Sequence, residues 1–339
     1  MRRDERLNFR RLRTLSTGVA MVVTDLHGEG DAYQRLRDIF LQAHGRGDVQ
    51  RLVLCGDLLH VRHLDRRDSS LAMLYDVMTL QAEMGEDTVL MLCGNHELPH
   101  IYGFALMRGH HDYTGGFEHV LREAEETGKA TYTRAQVMAF LRGLPFYACT
   151  SAGVTLSHVG APPNVDANGL ARLLAFDHDA LLQWAEERMT RYDTARMYAE
   201  ENYLQQAWRV LAVRSADDPR IGDLLRGELL SQTSQDFELL WQAFFLDNEQ
   251  GRGLPVYLAD VNAFLGELNK HDLPKQSYIV SGHVNVVKGG HVWVGGRQLR
   301  LASHAHANPE EDGEYLLLDC EKRVMRSDHL TAGLRRTWG

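Results

Sequence analysis

Cysteine is scarce in this 339-residue chain. There are four (Cys55, Cys93, Cys149, Cys320), and no two stand in C-x-x-C spacing. That argues against a zinc knuckle, and four lone thiols fit a reducing cytosol, so a cytoplasmic location is expected. Cys55 and Cys93 each close an apolar run just before a glycine, the setting of a buried, inert thiol. No stretch approaches the ~20 apolar residues that a membrane span needs. The start, MRRDERLNFRRLRTLST, is arginine-rich but broken by Asp4 and Glu5, and it lacks the apolar core of a signal peptide. Residues 1–17 are therefore expected to form a solvated arm. Surplus positive charge is also missing. A net charge of −9 argues against a broad nucleic-acid footprint. An anionic substrate would have to be drawn by a local cation cluster or by metals. Internal repeats and low-complexity tracts are absent.

What is present is an ample core and a regular rhythm. Hydrophobic residues make up 44% of the chain, as in ordinary globular proteins. GVAMVVTD (18–25), RLVLCGD (51–57) and TVLMLCGN (88–95) read as short buried strands. DAYQRLRDIFLQAH (31–44) and SSLAMLYDVMTLQAEMG (69–85) read as the helices between them. Such a β-α-β-α-β order predicts parallel strands with right-handed crossovers. Ligands gather beyond the carboxyl ends of such strands. Those ends carry Asp25-Leu26-His27, Gly56-Asp57 and Gly94-Asn95-His96-Glu97. Two more strands are expected at 145–149 and 153–158, the second ending in Ser157-His158. Residues of about 166–270 read as a helical insertion or cap, with Trp184, Trp208 and Trp241 as core rather than a substrate platform. From 277 to 328, five strand-like runs suggest a second, mostly antiparallel sheet.

The stretch CGNHELPH (93–100) has two incompatible readings. It contains H-E-x-x-H (His96, Glu97, His100), the pattern of a zinc protease helix, with Gly103 at a position the longer form of that pattern requires. Pro99 opposes this reading, because proline disfavours helical backbone at Leu98 while being tolerated at the start of a helix. A helix starting near Pro99 leaves His96 outside it. Leu106 stands where the longer pattern needs a third histidine, although Glu118 could in principle serve as a ligand. The other reading takes G-N-H-E as a strand end that feeds a metal site. D-x-H, G-D, G-N-H-E, S-H and G-H occur in that order, each after a predicted strand. Each is weak alone, and the ordered set is strong.

With these motifs the chain resembles the calcineurin-like metallophosphoesterases, and its G-N-H-E end is similar to the phosphoprotein phosphatase branch. The resemblance covers about 18–160 and 277–320. It implies an α/β fold, a four-layer α/β/β/α sandwich, here with the helical insertion in a single domain. It implies two divalent ions, with manganese expected and iron or zinc as alternatives, since a mixed nitrogen and oxygen shell suits these metals. By resemblance Asp25 and His27 hold the first metal, Asp57 bridges both, and Asn95, His158 and His283 complete the second. A hydroxide bridging the metals would attack phosphorus, with His96 as general acid. Glu97 fits two roles equally, as a structural partner to nearby backbone or an arginine, or in catalysis.

Two departures from the family pattern matter. Where many members have G-H-x-H, this chain has GHVN, with Asn285 in the last place; the phosphatase branch also lacks that second histidine. That branch carries G-D-x-x-D-R-G, whereas here the stretch is GDLLHVRHLDRRD. His60 replaces the aspartate, Val61 replaces the arginine, and Arg62 follows one residue late. Arg62, with Asn95, is the candidate phosphate grip, and Arg66, Arg67 and Arg108 are its rivals. His304 and His306 in ASHAHAN would share a face if that run were a strand. The ligand set is complete without them, so they are left outside the site. The expected activity is a phosphomonoesterase, a serine/threonine protein phosphatase with phosphotyrosine as a further specificity, acting on phosphorylated protein or small phosphoesters. A dinucleoside polyphosphate hydrolase or phosphodiesterase is the alternative. A non-catalytic metal-binding scaffold stands further off, and a zinc protease furthest.

Overall fold

The computed structural model describes residues 9–108, 110–191 and 221–339. Trp208 lies outside these residues. The chain divides into two compact units, Met1–Asn95 with Leu144–Phe176 and Trp241–Gly339, and His96–Gly143 with Asp177–Leu240. The stretch expected as one helical insertion is thus shared between both units.

Strands in chain order are β1 (Leu12–Leu15), β2 (Val19–Val23), β3 (Arg51–Leu54), β4 (Val89–Met91), β5 (Met107–Arg108), β6 (His111–Asp112), β7 (Tyr147–Thr150), β8 (Val154–Ser157), β9 (Tyr278–Ser281), β10 (His291–Val294), β11 (Gln298–Leu301), β12 (Glu314–Asp319) and β13 (Leu334–Arg336). β5 and β6 form a short ribbon in the second unit. The first unit holds two sheets, one ordered β13-β12-β2-β3-β4 and the other β1-β7-β8-β9-β11-β10. Helices α1 (Gly30–Gly45) and α2 (Ser70–Met84) make the two crossovers between β2, β3 and β4. These strands are parallel, as the alternating order predicts. Leu15, Ala148, Leu156, Val280 and Leu299 from one sheet pack with Val22, Val53, Leu90 and Leu316 from the other in one fully buried core. Sheet-on-sheet packing of this kind needs apolar side chains on both inner faces, and these short β-branched and leucine-rich runs supply them.

Four expectations change. The run 277–328 does not form a sheet of its own. β9 pairs parallel with β8 and β11, while β12 crosses to the first sheet and pairs antiparallel with β2. Short apolar runs carry no signal of partner or direction, so the pattern could not show this. RVMRSD (323–328) is not a strand; a short helix begins at Ser327. The supposed N-terminal arm also supplies a strand, since β1 pairs parallel with β7. Leu12 and Leu15 point into the core. The reading of the tryptophans as core fails for Trp241, which is 39% exposed and stacks on Phe245; Trp184 is half-buried under the Arg188 guanidinium.

The second unit is helical. Its helices include Leu98–Tyr102, Tyr113–Glu126, Arg134–Gly143, His178–Met189 and Ile221–Thr233. Tyr102 is fully buried there, with its hydroxyl 2.7 Å from His178 Nδ1 and its ring edge-on to Phe237.

Arg11 shows why the N-terminal segment is fixed. Its side chain is buried, Nε donates to the Phe176 carbonyl at 2.7 Å, Nη1 donates to the Leu144 carbonyl at 3.0 Å, and the guanidinium lies over the Phe146 ring. Arg11→Met would leave these buried carbonyls without the charged donor. A loss of about 2–4 kcal/mol in urea unfolding is expected; a change below about 0.5 kcal/mol would show that Arg11 is not structural.

Candidate metal centre

The parallel strands all end level. Val23 pairs with Leu54 and Leu54 with Met91 in one sheet, and Leu156 pairs with Val280 and Arg300 with Ser281 in the other. The residues that follow these ends converge. Asp25 and His27 follow β2, Asp57 follows β3, Asn95 follows β4, His158 follows β8 and His283 follows β9. All but the half-buried His283 are buried.

Two groups of candidate ligands are made wholly of residues of the first unit. In one, a carboxylate oxygen of Asp57 and a ring nitrogen each of His158 and His283 lie within 4.8 Å of one another. Asn95 Oδ1 is 2.9 Å from both His158 Nε2 and His283 Nδ1, and those nitrogens are 3.2 Å apart. His158 Nδ1 faces the Cys55 carbonyl at 2.9 Å. A carbonyl only accepts, so Nδ1 carries a proton, and Nε2 is the ring atom that faces Asn95 and Asp57. Asp57 Oδ2 is 3.2 Å from that Nε2 and 3.5 Å from His27 Nε2 on its other side. One carboxylate therefore faces both halves of the cluster, the position of a bridging ligand.

The second group is Asp25, His27 and His306, again with ligand atoms within 4.8 Å of one another. His306 was not expected. His27 Nε2 and His306 Nε2 approach to 2.9 Å, and their rings are nearly parallel. The run 302–309 is not a strand, so the i, i+2 rule does not apply. His304 turns instead towards Glu310 and Trp338. The signal for His306 was weak: two histidines among small residues that let the backbone come close.

Electrostatics favour a cation here. Burial pushes the Asp25 carboxyl above its ordinary range; the imidazoles of His158 and His27 oppose that, and Asp57 adds to it. Asp25 Oδ1 accepts from the His283 backbone N–H, whereas Oδ2 is buried with no hydrogen-bond partner. Burial, with His27 and Arg62 nearby, holds His306 well below the usual histidine range and so neutral. Buried carboxylates, imidazole nitrogens and an amide oxygen that meet at one point are a set of atoms that suits a divalent ion.

The backbone bends sharply to make this cluster. Asp25, His27, Asp57 and His283 all have left-handed φ, between 43° and 73°. Such φ values are uncommon outside glycine and tend to mark functional sites. Gly56 is also left-handed, and a Cβ there would meet the Gly94 backbone at 2.7 Å. The G-D and G-N turns therefore cross closely because both carry glycine.

Other expected residues stand as follows. His96 comes next after Asn95, half-buried, with its ring 5.9 Å from that of Tyr113. The helix Leu98–Tyr102 starts after it, with Pro99 in its first turn. His100 is buried against Phe117 and sits 3.2 Å from Glu118. The H-E-x-x-H run is therefore not one helical face. Glu97 is fully buried. Arg62 is half-buried and donates to the Ala305 carbonyl. Arg66 is engaged by Glu310 and Glu29, and Arg67 and Arg108 are exposed. His60 is buried with φ 70°, its N–H donating to Ser70 Oγ. All four cysteines are buried and free, and burial pushes the Cys55, Cys149 and Cys320 thiols up, as inert thiols require.

A family model for calcineurin-like phosphoesterases matches residues 19–300, a span that includes every one of these strand ends. The chain belongs to the calcineurin-like phosphoesterases. It is a metal-dependent phosphoester hydrolase with the α/β fold of that family. Among solved structures it resembles a protein serine/threonine phosphatase from Saccharomyces cerevisiae with similarity to human phosphatase PP5, at 13% identity over 96% of this chain and 83% of that one, with a TM-score of 0.48. It also resembles the cold-active protein-tyrosine phosphatase of a psychrophile, Shewanella sp., at 15% identity over 92% and 80%, with a TM-score of 0.46. A metallophosphoesterase from Sphaerobacter thermophilus matches at 11% over 94% and 92%, with a TM-score of 0.34. All three likenesses are weak, and none bears on substrate. The comparison with curated proteins finds no match. No described helix is long and apolar enough to cross a membrane.

Gly282 provides a direct check of the cluster. A Cβ at this position would overlap Asp25 Oδ2. Gly282→Ala should displace the Asp25 carboxylate and lower the metal bound per chain, with a stability cost of about 1–3 kcal/mol from overpacking. Unchanged metal content in a folded variant would show that Asp25 is not held as described.

Proposed function

We propose that this hydrolase cleaves phosphomonoesters, acting on phosphoserine and phosphothreonine in proteins, with phosphotyrosine as a further substrate. The observation that carries the reading is the convergence of Asp25, His27, Asp57, Asn95, His158 and His283 at the carboxyl ends of strands from two sheets. In this reading Asp25 and His27 hold a first divalent ion, Asp57 bridges two, and Asn95, His158 and His283 hold the second. When bound, the two ions would draw charge from the phosphoryl oxygens and lower the pKa of the attacking water towards neutrality. Manganese is the ion we assign, because the donors are imidazole nitrogens and hard oxygens.

The chain's own residues then bind the phosphate and move the proton. Asn95 Oδ1 faces the imidazoles, so its amide N–H2 is left to meet a phosphoryl oxygen. Arg62 donates to the Ala305 carbonyl and is the candidate phosphate grip. His96 follows Asn95 directly and donates the proton to the leaving oxygen. The helical stretch of about 166–270 selects among substrates.

Two substitutions separate these roles. Asp57→Asn should lower the content of both ions together, since a neutral amide bridges cations poorly; full metal content would remove the bridging assignment. His96→Asn should keep the metals and lose roughly 10²–10⁴ in rate on an alkyl phosphate, with a smaller loss on p-nitrophenyl phosphate, whose leaving group needs no proton. Equal losses on both substrates would exclude the acid role. Rates on phosphopeptides, dinucleoside polyphosphates and a bis-aryl phosphodiester, with manganese, zinc or a chelator, test the substrate class. Preference for either of the last two would replace the phosphatase reading with the polyphosphate or diester one.

A further inference from the structure

We infer that His306, delivered by the loop after β11, is a ligand of the first ion and takes the place left open by Asn285. The inference rests on the two-ion reading above and concerns which residues complete its first half.

Asn285 cannot do this work. It is exposed and lines a separate cleft of about 400 Å³ with Val287, Lys288 and Trp293. Without another donor, the first ion would have Asp25, His27 and a shared Asp57. His306 fits the remaining place. Its side chain is 12% exposed, and its Nε2 is 2.9 Å from His27 Nε2. Two nitrogens that each lie about 2.1 Å from one ion, in adjacent positions of its shell, are separated by about 3 Å. His306 Nδ1 lies 3.9 Å from Asp25 Oδ1, so the ring sits against the same carboxylate that the first ion would use.

The loop is built to hold this ring in place. Ala305 N–H donates to the Asp25 carbonyl, and Thr24 N–H donates to Ser303 Oγ. Val286 N–H donates to the His306 carbonyl at 2.8 Å, which links the G-H-V-N turn to the loop beside it. Arg62 donates to the Ala305 carbonyl. A loop tied to Asp25 on one side and to the His283 turn on the other keeps its imidazole near both. Ligand rotamers fixed in advance by such supports are what a tight metal site needs. The same contacts make Arg62 a positioning residue for His306 as well as a phosphate grip.

The test is metal stoichiometry on the full chain. Purified protein, stripped with chelator and reloaded with Mn²⁺, is measured for ions per chain and for the affinity of each site. The unchanged chain should take up two ions; one ion or none would overturn the two-ion reading itself. His306→Ala should keep one ion tightly and weaken the other by at least the roughly 10–100-fold that losing even a supporting partner costs. Adding imidazole to His306→Ala should restore binding of the first ion, which a merely structural role would not allow. Asn285→Ala should bind two ions as the unchanged chain does. If His306→Ala fails to fold, His306→Gln, which preserves size and polarity, is measured in its place and should show the same loss of one ion. Two ions at unchanged affinity in the folded His306 variant, or one ion lost in Asn285→Ala, would overturn the inference.

Discussion

The whole arrangement depends on one electrostatic constraint. Asp25 and Asp57 are buried carboxylates, His158 Nε2, an Asn95 oxygen and two close-set imidazoles meet them, and Asp25 Oδ2 has no hydrogen-bond partner. Burial of such acceptors is costly unless a cation joins them. That cost explains features that would otherwise be unrelated. The left-handed backbone at Asp25, His27, Asp57 and His283 is tolerated because it aims donors at one point. Gly56 and Gly282 are glycines because side chains there would occupy the space the turns and the Asp25 carboxylate need.

Sheet topology is how a chain places so many donors at one point. Parallel strands in level register end at the same edge. This fold uses two sheets, with β2, β3 and β4 in one and β8, β9 and β11 in the other. The parallel pairing of β8, β9 and β11, which the strand pattern did not suggest, lets three separate segments of the chain reach the same edge. β12 and then β13 extend the first sheet beyond β2.

The position of His306 also changes how the departures from the family pattern are weighed. Asn285 in GHVN looks like a lost ligand and, by resemblance, favours the phosphatase branch. If an imidazole reaches the first ion from the loop after β11, that absence no longer separates phosphomonoesters from phosphodiesters. The substrate preference must then come from groups outside the ligand set. Arg62 occupies a similar position, one residue late in its motif but fastened to the loop that carries His306.

Much of this was legible in the sequence. The β-α-β-α-β order, the five polar turns at strand ends and the failure of H-E-x-x-H to form a helical face all follow from local rules. Apolar runs of strand length, glycines before ligand residues, and Pro99 beside Leu98 act within a few residues of themselves. What the sequence could not show was pairing over distance. The partner and direction of β9, β11 and β12, the use of residues 12–15 as a strand, and the approach of His306 to His27 across 279 positions depend on which faces meet in the core. Local pattern encodes that a segment is buried; only the packing of the two sheets decides what it is buried against.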